Sequence, residues 1–323
     1  MLPVKDNGCC CMERSRARDL RNAVLLIDKH EGTTSYETVR EIRRVTGARK
    51  AGHSGTLDRF ASGLLIVCTG QATKVARFLL EDDKTYVGAV KLGTSTETDD
   101  REGAVIDERP VGPVTRADIV SCARKFTGDL LQLPPRYSAL KINGRRASDR
   151  ARNGESVNIA ARWVRIYDFE VRAVDLDHAR FFFRVRCSKG TYVRSLARDM
   201  GRELGTGAHL ERLRRTDAGL FSIGDAVTVP ELSAYVAAGT TDKRFALTPA
   251  EALRNYGRIL VSDGARRRIL NGAVFPYEEV LEIEDNGGKK FIIIDENENL
   301  IAIADVDIGQ WQIKYLNVFK EQL

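Results

Sequence analysis

The order of strand-like and helix-like segments constrains this chain most, because it never settles into regular alternation. Val24-Leu25-Leu26-Ile27-Asp28-Lys29 reads as a strand ending in a charged pair. A Thr-x-x-Glu capping box, Thr34 to Glu37, then starts a helix with Tyr36, Val39, Ile42 and Val45 on one face. Leu64-Leu65-Ile66-Val67 is a buried strand, and 71–81 is an amphipathic helix turning Val75, Phe78 and Leu79 inward. Lys84 to Leu92 alternates as a strand, 93–103 is a polar, acidic loop, and 116–126 is another helix. Asn143-Gly144 marks a tight turn, and strands follow at 163–173 and 180–187. A helix over 192–204 ends at Gly205. Hairpins mixed with helices predict an α+β fold, with a mixed, largely antiparallel sheet flanked by helices, not a doubly wound parallel one.

Past about residue 245 the pattern changes. Short β-rich pieces (291–294, 300–304, 311–313) are separated by turn residues such as Asn286-Gly287-Gly288, which predicts a compact β-barrel of its own. The division expected is a flexible basic tail over 1–19, a catalytic-sized domain over 20–245 and a small domain over 246–323.

Charge points to an anionic partner, though mildly. Lys and Arg number 51 against 45 Asp and Glu, for a net charge of +6. The arginines cluster: Arg40, Arg43 and Arg44 on the first helix, then Arg49-Lys50, then Arg145-Arg146 with Arg150 and Arg152, and Arg212, Arg214 and Arg215. Arg266-Arg267-Arg268 opens the small domain. The N-terminal tail lacks the apolar centre of a signal peptide, and no run is long enough to cross a bilayer. Cys9-Cys10-Cys11 lies in that tail, and a start at Met12 would remove it. Cys68, Cys122 and Cys187 sit in apolar segments without metal-ligand spacing, as small core residues of a reducing compartment do.

Gly52-His53-Ser54-Gly55-Thr56-Leu57-Asp58, running on through Ala61-Ser62-Gly63, holds a carboxylate among glycines and small hydroxyl residues. Glycines let backbone turn sharply and approach a substrate, so Asp58 is the leading catalytic candidate. An aspartate in such a loop is more often a turn or cap residue, and the loop alone does not choose among nucleotides, sugars and phosphates.

Several further segments stand in a fixed order around that loop: Leu26-Ile27-Asp28-Lys29, Gly70-Gln71-Ala72-Thr73-Lys74 and Asp83-Lys84-Thr85-Tyr86. Tyr137-Ser138-Ala139-Leu140-Lys141, Cys187-Ser188-Lys189-Gly190-Thr191-Tyr192-Val193-Arg194, Gly207-Ala208-His209-Leu210 and Leu213-Arg214-Arg215-Thr216 complete them. With these the chain resembles the TruB family of tRNA pseudouridine synthases over nearly its whole length. The resemblance implies a pseudouridine-synthase-like catalytic domain and an isomerase that turns uridine 55 of the tRNA T-loop into pseudouridine without cofactor or metal. It implies Asp58 as nucleophile or base, Arg194 as its cationic partner and Tyr86 as the aromatic that packs on the target base. Tyr192 and the backbone at Leu213 match positions shaping the uracil pocket. His53 matches a histidine that takes the place of the flipped-out base, and Lys29 and Lys74 are expected as structural or phosphate contacts. The segment from about 133 to 160 matches an insertion that grips RNA. The small domain is similar to a PUA-like RNA-binding barrel.

The expected partner is therefore the T-arm stem-loop of tRNA, bound by a cytoplasmic monomer with no membrane association. Arg59 stands where the family has proline, which would add positive charge beside Asp58. His30 replaces the proline after Asp28-Lys29, and Ser148 replaces an aromatic. Two alternatives stay open: a guide-directed H/ACA-type synthase subunit, and a tRNA-binding folding factor.

Overall fold

The computed structural model describes residues 19–138, 140–142, 144–153, 155 and 158–320. Residues 1–18 of the basic tail, with its three cysteines, and the turn residue Asn143 lie outside the described residues. Strand β1 (Val24–Lys29) leads to α1 (Ser35–Thr46), whose Thr34 and Glu37 form the expected capping box. The buried stripe of α1 is Ser35, Thr38, Val39, Ile42 and Thr46. It is rotated toward the small hydroxyl residues, so Tyr36 is 72% exposed and does not join the expected apolar face.

Then come β2 (Ala51–His53), β3 (Ser62–Thr69), the single-turn α2 (Ala76–Leu79) and β4 (Lys84–Leu92). The helix expected over 71–81 is split, with a 3-10 turn over Gly70–Lys74 ahead of α2. Gly70 has a φ of 51°, and Asn22 Oδ1 accepts from the Gln71 amide at 3.0 Å, which fixes a tighter start than an α-helix allows. Val75, Phe78 and Leu79 are nonetheless buried. The loop expected over 93–103 is the first strand and turn of a ribbon formed by β5 (Thr94–Thr96) and β6 (Val105–Glu108).

Helix α3 (Arg116–Lys125), β7 (Gly128–Gln132), the ribbon of β8 (Lys141–Ile142) and β9 (Arg145–Arg146), and α4 (Ala147–Arg152) follow. Next are β10 (Arg162–Asp175), β11 (Arg180–Cys187), α5 (Val193–Glu203), β12 (Ala208–Ala218), β13 (Phe221–Ser222), α6 (Val229–Ala237), β14 (Ala246–Leu247) and α7 (Pro249–Ala252).

The large sheet runs β14-β1-β3-β12-β4-β11-β10-β7, with β2 on β3 and β13 on β12. Its pairings are antiparallel except β3 with β12. At that parallel contact Gly63 has a φ of 104°, and a Cβ there would lie 2.3 Å from the Arg215 carbonyl oxygen. Only glycine allows both the backbone angle and the approach. β1 and β3 are buried on both faces, which explains their unbroken apolar runs. Cys68, Cys122 and Cys187 are free and buried.

A second sheet, β16-β15-β17-β18-β19, is built from β15 (Gly257–Val261), β16 (Val280–Glu284), β17 (Lys290–Ile294), β18 (Leu300–Asp307) and β19 (Gln312–Val318), with α8 (Asp263–Leu270) between β15 and β16. β14 pairs with β1, so the first sheet keeps the chain to Leu247. The second sheet has a core of its own on one face and shares the other with the first domain. One face, with Ile259, Phe291 and Ile293, makes a separate cluster, while Ile292, Ile294, Leu300, Ile303 and Phe319 join the core of the first domain. Strand alternation supplies two buried faces, and sequence pattern alone does not say which neighbour each face meets. Among the described residues no helix is long and apolar enough to cross a membrane.

Candidate active site

The loop between β2 and β3 carries Asp58 and is fastened from below. Ser35 Oγ accepts from the Leu57 amide at 2.9 Å and donates to the Leu57 carbonyl at 3.0 Å. The Lys29 ammonium, inaccessible to solvent, donates to the carbonyls of His30 (2.9 Å), Thr33 (2.7 Å) and Arg59 (3.5 Å). Leu57, Phe60 and Ala61 are buried on either side of the aspartate. A carboxylate so held keeps one position, which chemistry at a fixed atom requires.

Arg194, in the first turn of α5, meets Asp58 at two points. Nη2 donates to Oδ1 at 3.0 Å and Nε lies 2.9 Å from Oδ2. The guanidinium is 4% exposed, whereas 35% of the Asp58 side chain stays open to the cleft. Arg194 also donates to the Thr98 carbonyl at 2.9 Å and the Tyr137 carbonyl at 3.0 Å, and Nη1 lies 3.3 Å from Asp100 Oδ2. Burial pushes the Asp58 carboxyl above the usual carboxylate value; Arg194 opposes the rise and Asp100 adds to it. The result is a partly desolvated carboxylate whose charge is supported by Arg194 and, more weakly, by Lys29, the state wanted of a nucleophile or base.

Tyr86 on β4 is buried and faces the same cleft, which encloses about 620 Å³. Burial raises its phenol, and Arg215 beside it acts the other way. Arg215 is 1% exposed and donates to the carbonyls of Leu64 (2.6 Å) and Gly55 (3.2 Å). Leu213 and Tyr192 line the cleft, together with Lys84, Leu140, Arg162, Trp163 and Thr191. Tyr192 is fixed by a two-way bond with Gln132, whose Oε1 accepts from the Tyr192 amide at 2.8 Å and whose Nε2 donates to its carbonyl at 3.1 Å. The Arg162 guanidinium covers the Tyr192 ring at 4.8 Å. A carboxylate, an aromatic face and apolar walls in a cleft of this size suit a flat polar ring.

The fold thus brings Asp58, Arg194, Tyr86, Tyr192 and Leu213 together, though they come from distant parts of the chain. Lys29 lies beneath the loop, turned to backbone carbonyls. His53 is on β2 outside the cleft lining, its Nδ1 buried without a hydrogen-bond partner among the described residues. Burial and Arg215 hold its imidazole below the ordinary value. Lys74 does not reach the cleft: its ammonium sits over the Phe319 ring at 5.4 Å, where the two sheets join.

Two further expectations are corrected and one is qualified. Arg215 is interior, and Arg214 forms a two-point pair with Asp28 (2.7 and 3.0 Å), so of that basic cluster only Arg212 is exposed. Arg145 and Arg150 both pair with Glu155 at 2.9 Å, which offsets part of the insertion's charge. Arg59 does not add its charge beside Asp58. It donates to the Gly32 carbonyl at 3.0 Å and faces Glu37 at the start of α1. Arg215 and Lys84 in the cleft lining, and Asp100 buried behind Arg194, are residues that sequence reasoning left out or misplaced. Their only signals were an acidic loop and basic runs, neither of which fixes a long-range partner.

A carboxylate–guanidinium pair beneath an aromatic residue, on a largely antiparallel α+β sheet, is the equipment of an enzyme acting on a heterocyclic ring. Residues 43–193 match the family model for the TruB family pseudouridylate synthase N-terminal domain, and residues 194–282 match that for the tRNA pseudouridylate synthase B C-terminal domain. The chain is 38% identical to tRNA pseudouridine synthase B of Geobacillus thermodenitrificans (strain NG80-2), with 93% of this chain and 100% of that protein covered. It is 43% identical to tRNA pseudouridine synthase B of Azoarcus sp. (strain BH72), covering 86% and 89%. Among solved structures, it is similar to an archaeal box H/ACA sRNP Nop10-Cbf5 complex (TM-score 0.71, 24% identity, 93% of this chain and 86% of that one). A Cbf5-Nop10-Gar1 complex gives a TM-score of 0.71 at 25% identity, covering 93% and 85%. The chain belongs to the TruB family of pseudouridine synthases.

Proposed function

We propose that the protein isomerises uridine 55 in the T-loop of tRNA to pseudouridine, with Asp58 as nucleophile or base on a flipped-out uridine. The observation that carries this reading is the Arg194–Asp58 pair at the floor of a cleft walled by Tyr86 and Leu213. The uridine enters extruded, since its glycosidic bond cannot be reached inside a stacked loop. Tyr86 and Leu213 hold the uracil, Asp58 attacks or takes a proton, and Arg194 keeps that carboxylate ionised. Tyr192 and its Arg162 cover shape the pocket rim. His53, held neutral, fills the gap left in the loop, and Lys29 supports the catalytic loop from below. Lys74 is assigned to the junction of the sheets and not to RNA.

RNA is held by exposed Arg40, Arg43, Arg44, Arg49 and Lys50, by the arm of residues 133–160, and by the C-terminal sheet acting as a PUA-like module. The protein works as a cytoplasmic monomer. Incubating a purified chain with an unguided T-arm stem-loop and mapping pseudouridine tests the reading. Product at position 55 is expected, and its absence without a guide would favour the H/ACA-type reading suggested by the neighbouring folds. Asp58→Asn should bind the same RNA and form no product, and a folding factor without catalysis would be unchanged by it.

A further inference from the structure

We infer that Trp163 is a stacking platform for a nucleotide next to the target uridine, the first step of an RNA-binding stripe along β10. The inference rests on the proposed uridine chemistry, which supplies the extruded single-stranded segment. Trp163 is 73% exposed yet lines the rim of the cleft that holds Asp58 and Tyr86. A tryptophan contributes to stability by being buried, so at this exposure its large ring does little for the fold.

Its surroundings continue in kind. Residues two apart on a strand share a face, and Arg165 and Tyr167 follow Trp163 on the exposed side while Val164 and Ile166 point into the core. Across the pairing Trp163 faces Leu131, itself 60% exposed. Arg165 and Arg186 lie over the Tyr167 ring at 5.8 and 5.1 Å. Arg162, just before Trp163, covers Tyr192 inside the cleft. Aromatic faces alternating with guanidinium groups, leading away from a catalytic cleft, match a short single-stranded segment, with rings for bases and cations for the phosphates between them. The acidic partners are an exposed Asp129 (3.8 Å from Arg165) and a half-buried Asp83 (3.1 Å from Arg186), while the two arginines themselves stay more than half exposed.

The chain has two tryptophans, so fluorescence isolates this one. The T-arm stem-loop is titrated into wild type and into Trp163→Phe, which keeps only Trp311. Quenching on binding is expected in wild type and should disappear in Trp163→Phe. Steady-state kinetics supply the second readout. Trp163→Ala should raise KM roughly ten-fold with kcat nearly unchanged, and Trp163→Phe should recover most of the loss. Unquenched emission at saturating RNA, or a wild-type KM in Trp163→Ala, overturns the platform. The underlying reaction fails separately. A chain that binds with quenching but makes no pseudouridine supports the platform and refutes the assigned chemistry.

Discussion

Arg215 stands directly across the β4–β12 pairing from Tyr86, and its buried guanidinium holds the Gly55 and Leu64 carbonyls at once. One interior cation therefore ties the catalytic loop to the strand after it and borders the phenol of the pocket. Replacing it with Met leaves those carbonyls unpaired, each worth about 1–3 kcal/mol. Arg215→Met should lose roughly 2–4 kcal/mol in urea unfolding. At temperatures where it stays folded, kcat should still fall, because the loop bearing Asp58 has lost its tie.

The acid limb of the pH–rate profile follows from Asp58. Its carboxyl sits above the ordinary value because of burial, and the proposed chemistry needs the ionised form. Activity should therefore be lost as pH falls through a midpoint above 3.8. Arg194 holds that midpoint down. Arg194→Lys keeps the charge but not the two-point contact, so the limb should move to higher pH and kcat/KM should drop, by roughly 100-fold or more. An unmoved limb would separate Asp58 ionisation from catalysis.

Lys29 predicts an alkaline effect on stability. Burial lowers its ammonium to about 8 from 10.5. Between those values the unfolded chain binds a proton that the folded chain does not. Unfolding free energy should then rise with pH across that window, by roughly 1–3 kcal/mol. The rise should vanish in Lys29→Met, measured as the difference between the two chains in urea melts near pH 7.5 and pH 10.

RNA affinity should depend on the exposed face of α1. Replacing Arg40, Arg43 and Arg44 with Gln should weaken binding at low salt and flatten the plot of log affinity against log salt, by about 0.7–0.9 for each phosphate that is no longer neutralised. The kcat at saturating RNA should hold, since none of the three lines the cleft. An unchanged slope would remove this helix from the RNA surface.

Much of the fold was legible because period and burial agree. β1, β4 and β11 lie where their residues predict, since each is bounded by turns and filled by a consistent pattern. Asp58, Arg194, Tyr86, Tyr192 and Leu213 were legible through ordered motifs, and the structure gathers them in one cleft. Asp100 and Arg215 were not, because a charged residue gives no sign in sequence of whether its partner is water or a buried group of the protein, a guanidinium for Asp100 and backbone carbonyls for Arg215. Tyr36 misled for a related reason: apolar character marks what is able to be buried, and packing decides what is. The shared core of the C-terminal sheet was hidden by the same two-fold alternation that made its strands easy to see.

Arg194 gathers contacts from residues 58, 98, 100 and 137, which belong to three stretches far apart along the chain. The cation that steadies Asp58 is also where the arm beginning near Tyr137 is fastened to the rest of the domain. Any substitution of Arg194 therefore cuts several ties together, and its effect is not the worth of one ion pair. A shift in any of these segments is passed to Asp58 through one guanidinium, so the arm and the Asp58 loop behave as a single mechanical part.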